Sequence, residues 1–325
     1  MSLLALAATV LLIIADPRIA ESSSLVSTPS GSWLWTANDS GDSARLFAVG
    51  PDGRTLAVVT LPRTPLRDLE DMALGPDRTL YLADVGDNNA VRDSVTVLRV
   101  PEPRVDPART DVRLTSAAPV RTVLTYEDGP RDAETLLVHP RTGQLLVVTK
   151  SAFGSAVYAA PQPLADGVLR RVGSVALRQT DTEGGPSPQF AARLLATGGA
   201  VSPDGRRLVV RTYTDAYVFD VPGDDLAAAF RNRPTVLPLP ATRQGEAVTW
   251  SRDGQSLLTS SEGRRAPVHL VPAPAAAAPP QAPPAADARP ADPTSGAARL
   301  VVGAVVAGGA LVLLLGVAAL RRARR

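Results

Sequence analysis

The chain contains no cysteine. That excludes disulfides, thiolate catalysis and cysteine–zinc sites. It leaves export open, because 325 residues can bury a core that needs no covalent staples. Aromatic residues are only 4% of the chain against 45% apolar residues in all, so the core must be built of Val, Leu and Ala. Lysine is nearly absent: Lys150 stands alone, and 33 of the 34 basic residues are arginine. Histidine occurs twice, at His139 and His269, which makes a zinc or copper centre a poor expectation. No Gly-x-Ser-x-Gly elbow appears, and neither histidine recurs with a carboxylate, so a Ser-His-Asp hydrolase is not expected. A basic stripe is missing too. The formal charge of +2 comes from Arg321, Arg322, Arg324 and Arg325, and without those four the chain has 30 basic and 32 acidic residues. No nucleic-acid partner is expected from such a balance.

The two ends differ from the middle. Leu300 to Leu320 carries no charge over 21 residues, roughly 31 Å as a helix at about 1.5 Å per residue, close to the ~30 Å apolar core of a bilayer. With arginines directly after it, residues 300–320 are expected to form a transmembrane helix and 321–325 a short cytoplasmic basic tail, leaving the preceding domain outside the cell membrane. Leu3 to Ile14 is a signal-like apolar run, so residues 1–15 are expected to be removed near Ala15, although no basic residue precedes the run. Residues 272–299 are mostly Ala and Pro, an expected extended stalk. The folded domain is then expected over 16–271.

Within that domain a short phrase recurs. Arg18-Ile19-Ala20-Glu21, Arg67-Asp68-Leu69-Glu70, Arg131-Asp132-Ala133-Glu134 and Arg243-Gln244-Gly245-Glu246 each lead into a β-rich run. A degenerate copy begins at Arg193, with Ala196 and Thr197 in place of the acid. The starts are 49, 64, 62 and 50 residues apart, a period that belongs to stacked or ringed supersecondary units.

Each unit shows the same grammar. Glu246 to Trp250 alternates as a strand, Arg252-Asp253-Gly254 turns, Ser256 to Ser260 returns, and Val268 to Val271 follows. Turns at Asp204-Gly205, Pro76-Asp77 and Thr142-Gly143 do the same elsewhere, where turn chemistry sufficiently explains the aspartates. Outer strands are expected at 55–60, 121–125, 169–172 and 235–237. Helical periodicity is confined to Asp224–Phe230. Three or four antiparallel strands in five units predict an all-β fold, a β-propeller of five blades, with a sixth possible between Thr180 and Arg193.

Asn38-Asp39-Ser40-Gly41-Asp42, Asp68 to Ala73, Asp84-Val85-Gly86-Asp87-Asn88, Asp132-Ala133-Glu134, Gly245-Glu246-Ala247 and Ser261-Glu262-Gly263 resemble an uncharacterised family of bacterial exported, membrane-anchored β-propellers. More distantly, residues 16–271 are similar to phytase-like and gluconolactonase-like propellers. That resemblance implies a central channel lined by Glu on inner strands with Asp or Asn nearby, binding calcium.

The residues give their own reason to look there. If the phrase leads into the innermost strand, Glu21, Glu70, Glu134 and Glu246 gather at one mouth, and Asp84, Glu262 and Lys150 lie beside them at the ends of second strands. Crowded carboxylates raise one another's pKa and need neutralising. A hard cation such as Ca2+ would do so through oxygen ligands. Ion pairing with arginines of neighbouring blades would do so too, and an organic ligand is a third solution. Lys150 is expected to serve as a built-in counter-ion. Three functions remain open: a binding or scaffold module outside the membrane, a calcium-dependent hydrolase of lactonase or phosphoester type, and a partner-binding protein using the outer loops Asn89–Ser94 and Thr180–Pro188. No organic cofactor is expected.

Overall fold

In a computed structural model, residues 8–39 and 41–275 are described. Five four-stranded antiparallel units follow one another. Blade 1 comprises Val26–Ser27, Leu34–Thr36, Arg45–Val49 and Thr55–Thr60. Blade 2 comprises Leu69–Gly75, Thr79–Asp84, Val95–Pro101 and Val120–Tyr126. Blade 3 comprises Ala133–Val138, Leu145–Thr149, Ser155–Ala159 and Gly167–Val175. Blade 4 comprises Ala196–Val201, Arg207–Thr212, Asp215–Asp220 and Thr235–Pro238. Blade 5 comprises Val248–Trp250, Ser256–Thr259 and Pro267–Pro272, and its fourth strand is Thr9–Ile13 from the other end of the chain. The innermost strands touch in chain order, and that of blade 5 returns to that of blade 1. The ring is closed, as a propeller requires.

The core has no centre. It consists of five apolar clusters, each between two adjacent blades. Strand periodicity makes this so, since alternate residues face opposite sides. In Thr79–Asp84, Leu80 and Leu82 pack toward blade 1, while Tyr81 and Ala83 pack toward blade 3. Every blade must therefore be apolar on both faces, which accounts for near-continuous runs such as Leu145–Thr149. Small aliphatic side chains suit layers stacked this closely. Trp33 and Trp35 share one face, as their spacing predicts, and meet edge to face at 6.2 Å.

Several boundaries differ from the sequence expectation. Thr9–Ile13, expected within the signal-like segment, pairs with Pro267–Pro272, and Leu12 and Ile14 are buried with Leu258 and Val268. Thr9–Ile13 thus stands as an edge strand of the ring, ahead of the expected start at residue 16. A fifth strand on blade 1, Val112–Thr115, is lent by the connection inside blade 2 and runs parallel to Thr55–Thr60. The outer strands of blades 2 and 3 also pair in parallel, joining the two into one eight-stranded sheet. Between Thr180 and Arg193 there is no strand, only one helical turn at Gln189–Ala192, so that stretch holds no sixth blade. The helical turn in Asp224–Phe230 forms at Leu226–Ala229, capped by the Asp225 carboxylate. Among the described residues no helix is long and apolar enough to cross a membrane. The expected transmembrane helix at 300–320, the tail at 321–325 and nearly all of the expected stalk lie outside the described residues.

Candidate functional site: a carboxylate-lined channel mouth

The repeated Glu sits at a bulge. In blade 2, Leu69 pairs with Asp84 and Asp71 with Ala83, which leaves Glu70 as the extra residue. Glu134 is extra in the same way in blade 3, and Thr197 in blade 4. A bulge re-aims a side chain without ending the strand. Glu246 precedes the blade 5 inner strand and is equally buried. All these positions lie where inner strands begin, on one face of the ring. Second strands end on that same face, at Asp39, Lys150 and Glu262.

The carboxylates converge. Ligand oxygens of Asp39, Asp68 and Glu70 lie within 4.8 Å of one another, and so do those of Asp39, Glu246 and Glu262. Blades 1, 2 and 5 thus meet around Asp39. Glu134 completes the mouth from blade 3: its charge is the strongest acidic influence on both Glu70 and Glu246. One Glu134 oxygen pairs with Lys150 Nζ, while Oε2 is buried with no hydrogen-bond partner among the described residues.

Burial and mutual repulsion dominate the electrostatics. Burial, then Glu134 and Asp39, push Glu70 well above the usual carboxylate range. Burial, then Glu134 and Glu262, do the same to Glu246. Glu134 is raised by burial to about 8, even with Lys150 pulling it down. Asp68 is raised to about 6 by burial and the Asp39 charge. Burial works against the Lys150 ammonium, but the Glu134 carboxylate outweighs it and keeps Lys150 charged, with the ammonium 5.4 Å from the Tyr213 ring centre. The expectation of a built-in counter-ion agrees with this geometry.

Two expected site residues stand elsewhere. Glu21 is exposed, and its carbonyl accepts the Asp39 amide. The first bridge of blade 1 forms one residue later, at Ser22, so the phrase is out of register there, and Ser23, whose hydroxyl donates to the Leu69 carbonyl, occupies the inner position. Asp84 is in neither group of converging carboxylates: it accepts the Asp68 amide at 2.9 Å and pairs with Arg92 at 3.1 Å, anchoring the loop between the second and third strands of blade 2. The phrase arginines do not neutralise the phrase glutamates. Arg18 pairs with Asp16 and Asp111, Arg131 pairs with Asp128, and Arg67 and Arg243 are exposed.

Other participants carry weaker sequence signals. Asp68 and Asp132 precede their glutamates by two residues, immediately before the inner strands begin at Leu69 and Ala133. Asp71 is fully buried. Its carboxylate accepts the amides of Met72 and Leu136, both at 2.8 Å, and of Gly199 at 3.2 Å, tying blade 2 to blades 3 and 4. Burial pushes its carboxyl well up despite those donors. Arg211, also buried, donates to the carbonyls of Thr212, Tyr213, Ala247 and Ser260, so blade 4 grips blade 5. Burial brings this guanidinium down to about 10, against the opposing charge of Glu246. Gly245 leaves room for it: a Cβ there would lie 2.2 Å from Arg211 Nη2.

The strand pairing and this mouth define the class, a five-unit propeller-type ring with an acidic axial opening. No family model matches the chain, and no curated protein does. Solved structures similar to it include XC5397, a gluconolactonase from Xanthomonas campestris. It is 13% identical with a TM-score of 0.44, over 80% of this chain and 89% of that one. A chain of the nidogen/laminin complex is 14% identical with a TM-score of 0.43, over 75% and 73%. The WD40 repeats of RRP9 are 10% identical with a TM-score of 0.44, over 82% and 100%.

Proposed function

We propose that the protein is a binding module held outside the cell membrane by its C-terminal apolar run, with a hard divalent cation, calcium, in the acidic mouth. The membrane part of this reading rests on the sequence of residues 300–325 alone. The observation that carries the cation is the buried Glu134 Oε2, unpartnered beside two groups of converging carboxylates that share Asp39. An oxygen-only donor set from Asp and Glu suits calcium, and the absence of cysteine and of histidine near the mouth disfavours softer metals. Asp39, Asp68, Glu70, Glu246 and Glu262 would supply ligands, together with Glu134 through its unpartnered Oε2. Lys150 would neutralise Glu134 from the blade 3 side.

Elemental analysis of the purified chain, with thermal melts in calcium and in EDTA, tests the reading. The expected outcome is bound calcium and a melting temperature several degrees higher than in EDTA. A calcium-free protein whose melt ignores both additions would refute it. The hydrolase alternative requires turnover of lactones or phosphoesters that EDTA and Glu134→Gln abolish without unfolding.

A partner-binding reading has an observation of its own. Val91, Phe153 and Phe190 are the three most exposed large apolar side chains among the described residues, at 62%, 103% and 63%. All three lie in connections on the acidic face: Val91 in the expected loop Asn89–Ser94, Phe190 just past the expected loop Thr180–Pro188. In a chain with five phenylalanines, two placed in solvent around one opening favour a protein contact there. Replacing the three by serine should leave the calcium-dependent melt unchanged.

A further inference from the structure

The channel has a second mouth, and its chemistry is the opposite of the first. Where the inner strands end, a cavity of about 500 Å³ opens, walled by residues of all five blades. Val26, Met72, Leu74, Val138, Ala200 and Trp250 make it predominantly apolar. One residue from Met72, the Asp71 carboxylate bridges to the amides of Leu136 and Gly199, between this cavity and the acidic mouth. Its size falls within the range of about 300–1,000 Å³ typical of small-molecule sites.

The polar groups around this cavity are unevenly distributed. Ser27 and Thr249 offer hydroxyls from blades 1 and 5, whose inner strands adjoin, and Arg252 adds a guanidinium at the rim of blade 5. None of these three side chains has a hydrogen-bond or ion-pair partner among the described residues. On blade 2, the Arg78 guanidinium is already taken by Glu102 at 2.7 Å, leaving the Asp77 carboxylate as the local charge. Donors therefore collect on blades 5 and 1 of an apolar chamber, with an acid on blade 2. A small group bearing one negative charge fits the donor side, and a second negative charge would meet Asp77.

We propose that this lower mouth binds an apolar monocarboxylate, its chain in the cavity and its carboxylate against Arg252, Ser27 and Thr249. The site is independent of any cation in the upper mouth. Guanidinium recognises carboxylate in a planar fork, and the two hydroxyls complete its coordination. The chain supplies affinity by leaving water, about fourfold for each buried methylene.

Isothermal titration of the full chain with hexanoate, octanoate and decanoate, below their micelle concentrations, tests this. One saturable site is expected, tightening with chain length and binding decanoate at least tenfold better than decylammonium. Arg252→Ala, at an exposed position, should weaken decanoate about tenfold with no change in melting temperature. Ala200→Phe should block the cavity, and EDTA should change nothing. An acetylated trileucine, as free acid and as amide, distinguishes a free fatty acid from an apolar chain terminus by which carboxylate binds tighter. Lack of saturation with every carboxylate, equal uptake of decylammonium, or decanoate binding unaffected by Arg252→Ala would overturn the proposal.

Discussion

At the scale of single residues, Lys150 shows how one charge can decide the state of a site. It is the only lysine in the chain, and it stands where neighbouring blades place acids. Removing it as Lys150→Met should leave Glu134 as a buried carboxylate without its cation. Breaking such a pair costs about 3–5 kcal/mol when the remaining group stays charged. Glu134 can escape part of that cost by binding a proton, so the loss should be larger at pH 8.5 than at pH 5.5 by urea denaturation. The same logic governs the unmodified protein without metal. Glu134 titrates in the unfolded chain near 4.5 and in the fold at about 8, and Glu70 and Glu246 are raised as well. Between those values the folded state holds protons that the unfolded state has lost, so stability falls as pH rises. In EDTA the melting temperature should therefore drop from pH 5 to pH 8.5, and calcium should flatten the profile. A melt that rises across that interval in EDTA would contradict this charge assignment.

At the scale of elements, the ring depends on contacts that cross blade boundaries. Asp71→Ala would strip acceptors from the Leu136 and Gly199 amides, each left buried at a cost of about 1–3 kcal/mol. Chemical denaturation should register the sum, because both amides belong to inner strands. The N-terminal strand is a second such element. Gly53 sits at φ +79°, and a Cβ there would fall 1.9 Å from the Ile13 carbonyl oxygen. Gly53→Ala should therefore cost more than the roughly 1–2 kcal/mol of the left-handed conformation alone. Hydrogen exchange should show the added opening concentrated in Thr9–Ile13 and its partner Pro267–Pro272. Exchange unchanged there, with global destabilisation instead, would argue against a strand-local effect.

At the scale of the whole molecule, a closed ring places unlike chemistry at its two ends. Inner strands begin at an acidic mouth and end at an apolar one, with Asp71 between. A cation that binds the folded ring and not the open chain stabilises it by mass action, about 2.7 kcal/mol at a hundredfold excess over its dissociation constant. Glu70→Gln combined with Glu246→Gln should abolish that gain while raising metal-free stability at pH 8, since both substitutions remove buried repulsion. Loss of the calcium response without that increase would separate ligand loss from charge relief.

The repeating unit was legible in the chain, while the choice between five and six blades waited for the structure. Alternating Val, Leu and Ala runs, Asp-Gly turns and the recurring Arg-x-x-Glu specify a repeated four-stranded unit, because strand periodicity and turn chemistry are local. The sequence also marked Glu70, Glu134, Glu246 and Glu262, since their place in the repeat is local as well. Register and closure were decided only in three dimensions. Whether Glu21 points inward depends on a bridge to Asn38, whether Asp84 is a ligand depends on Arg92, and whether Thr9–Ile13 is leader or strand depends on an edge more than 250 residues away. Those outcomes are set by which groups the folded chain brings within a few ångströms, and no spacing along the chain encodes that distance.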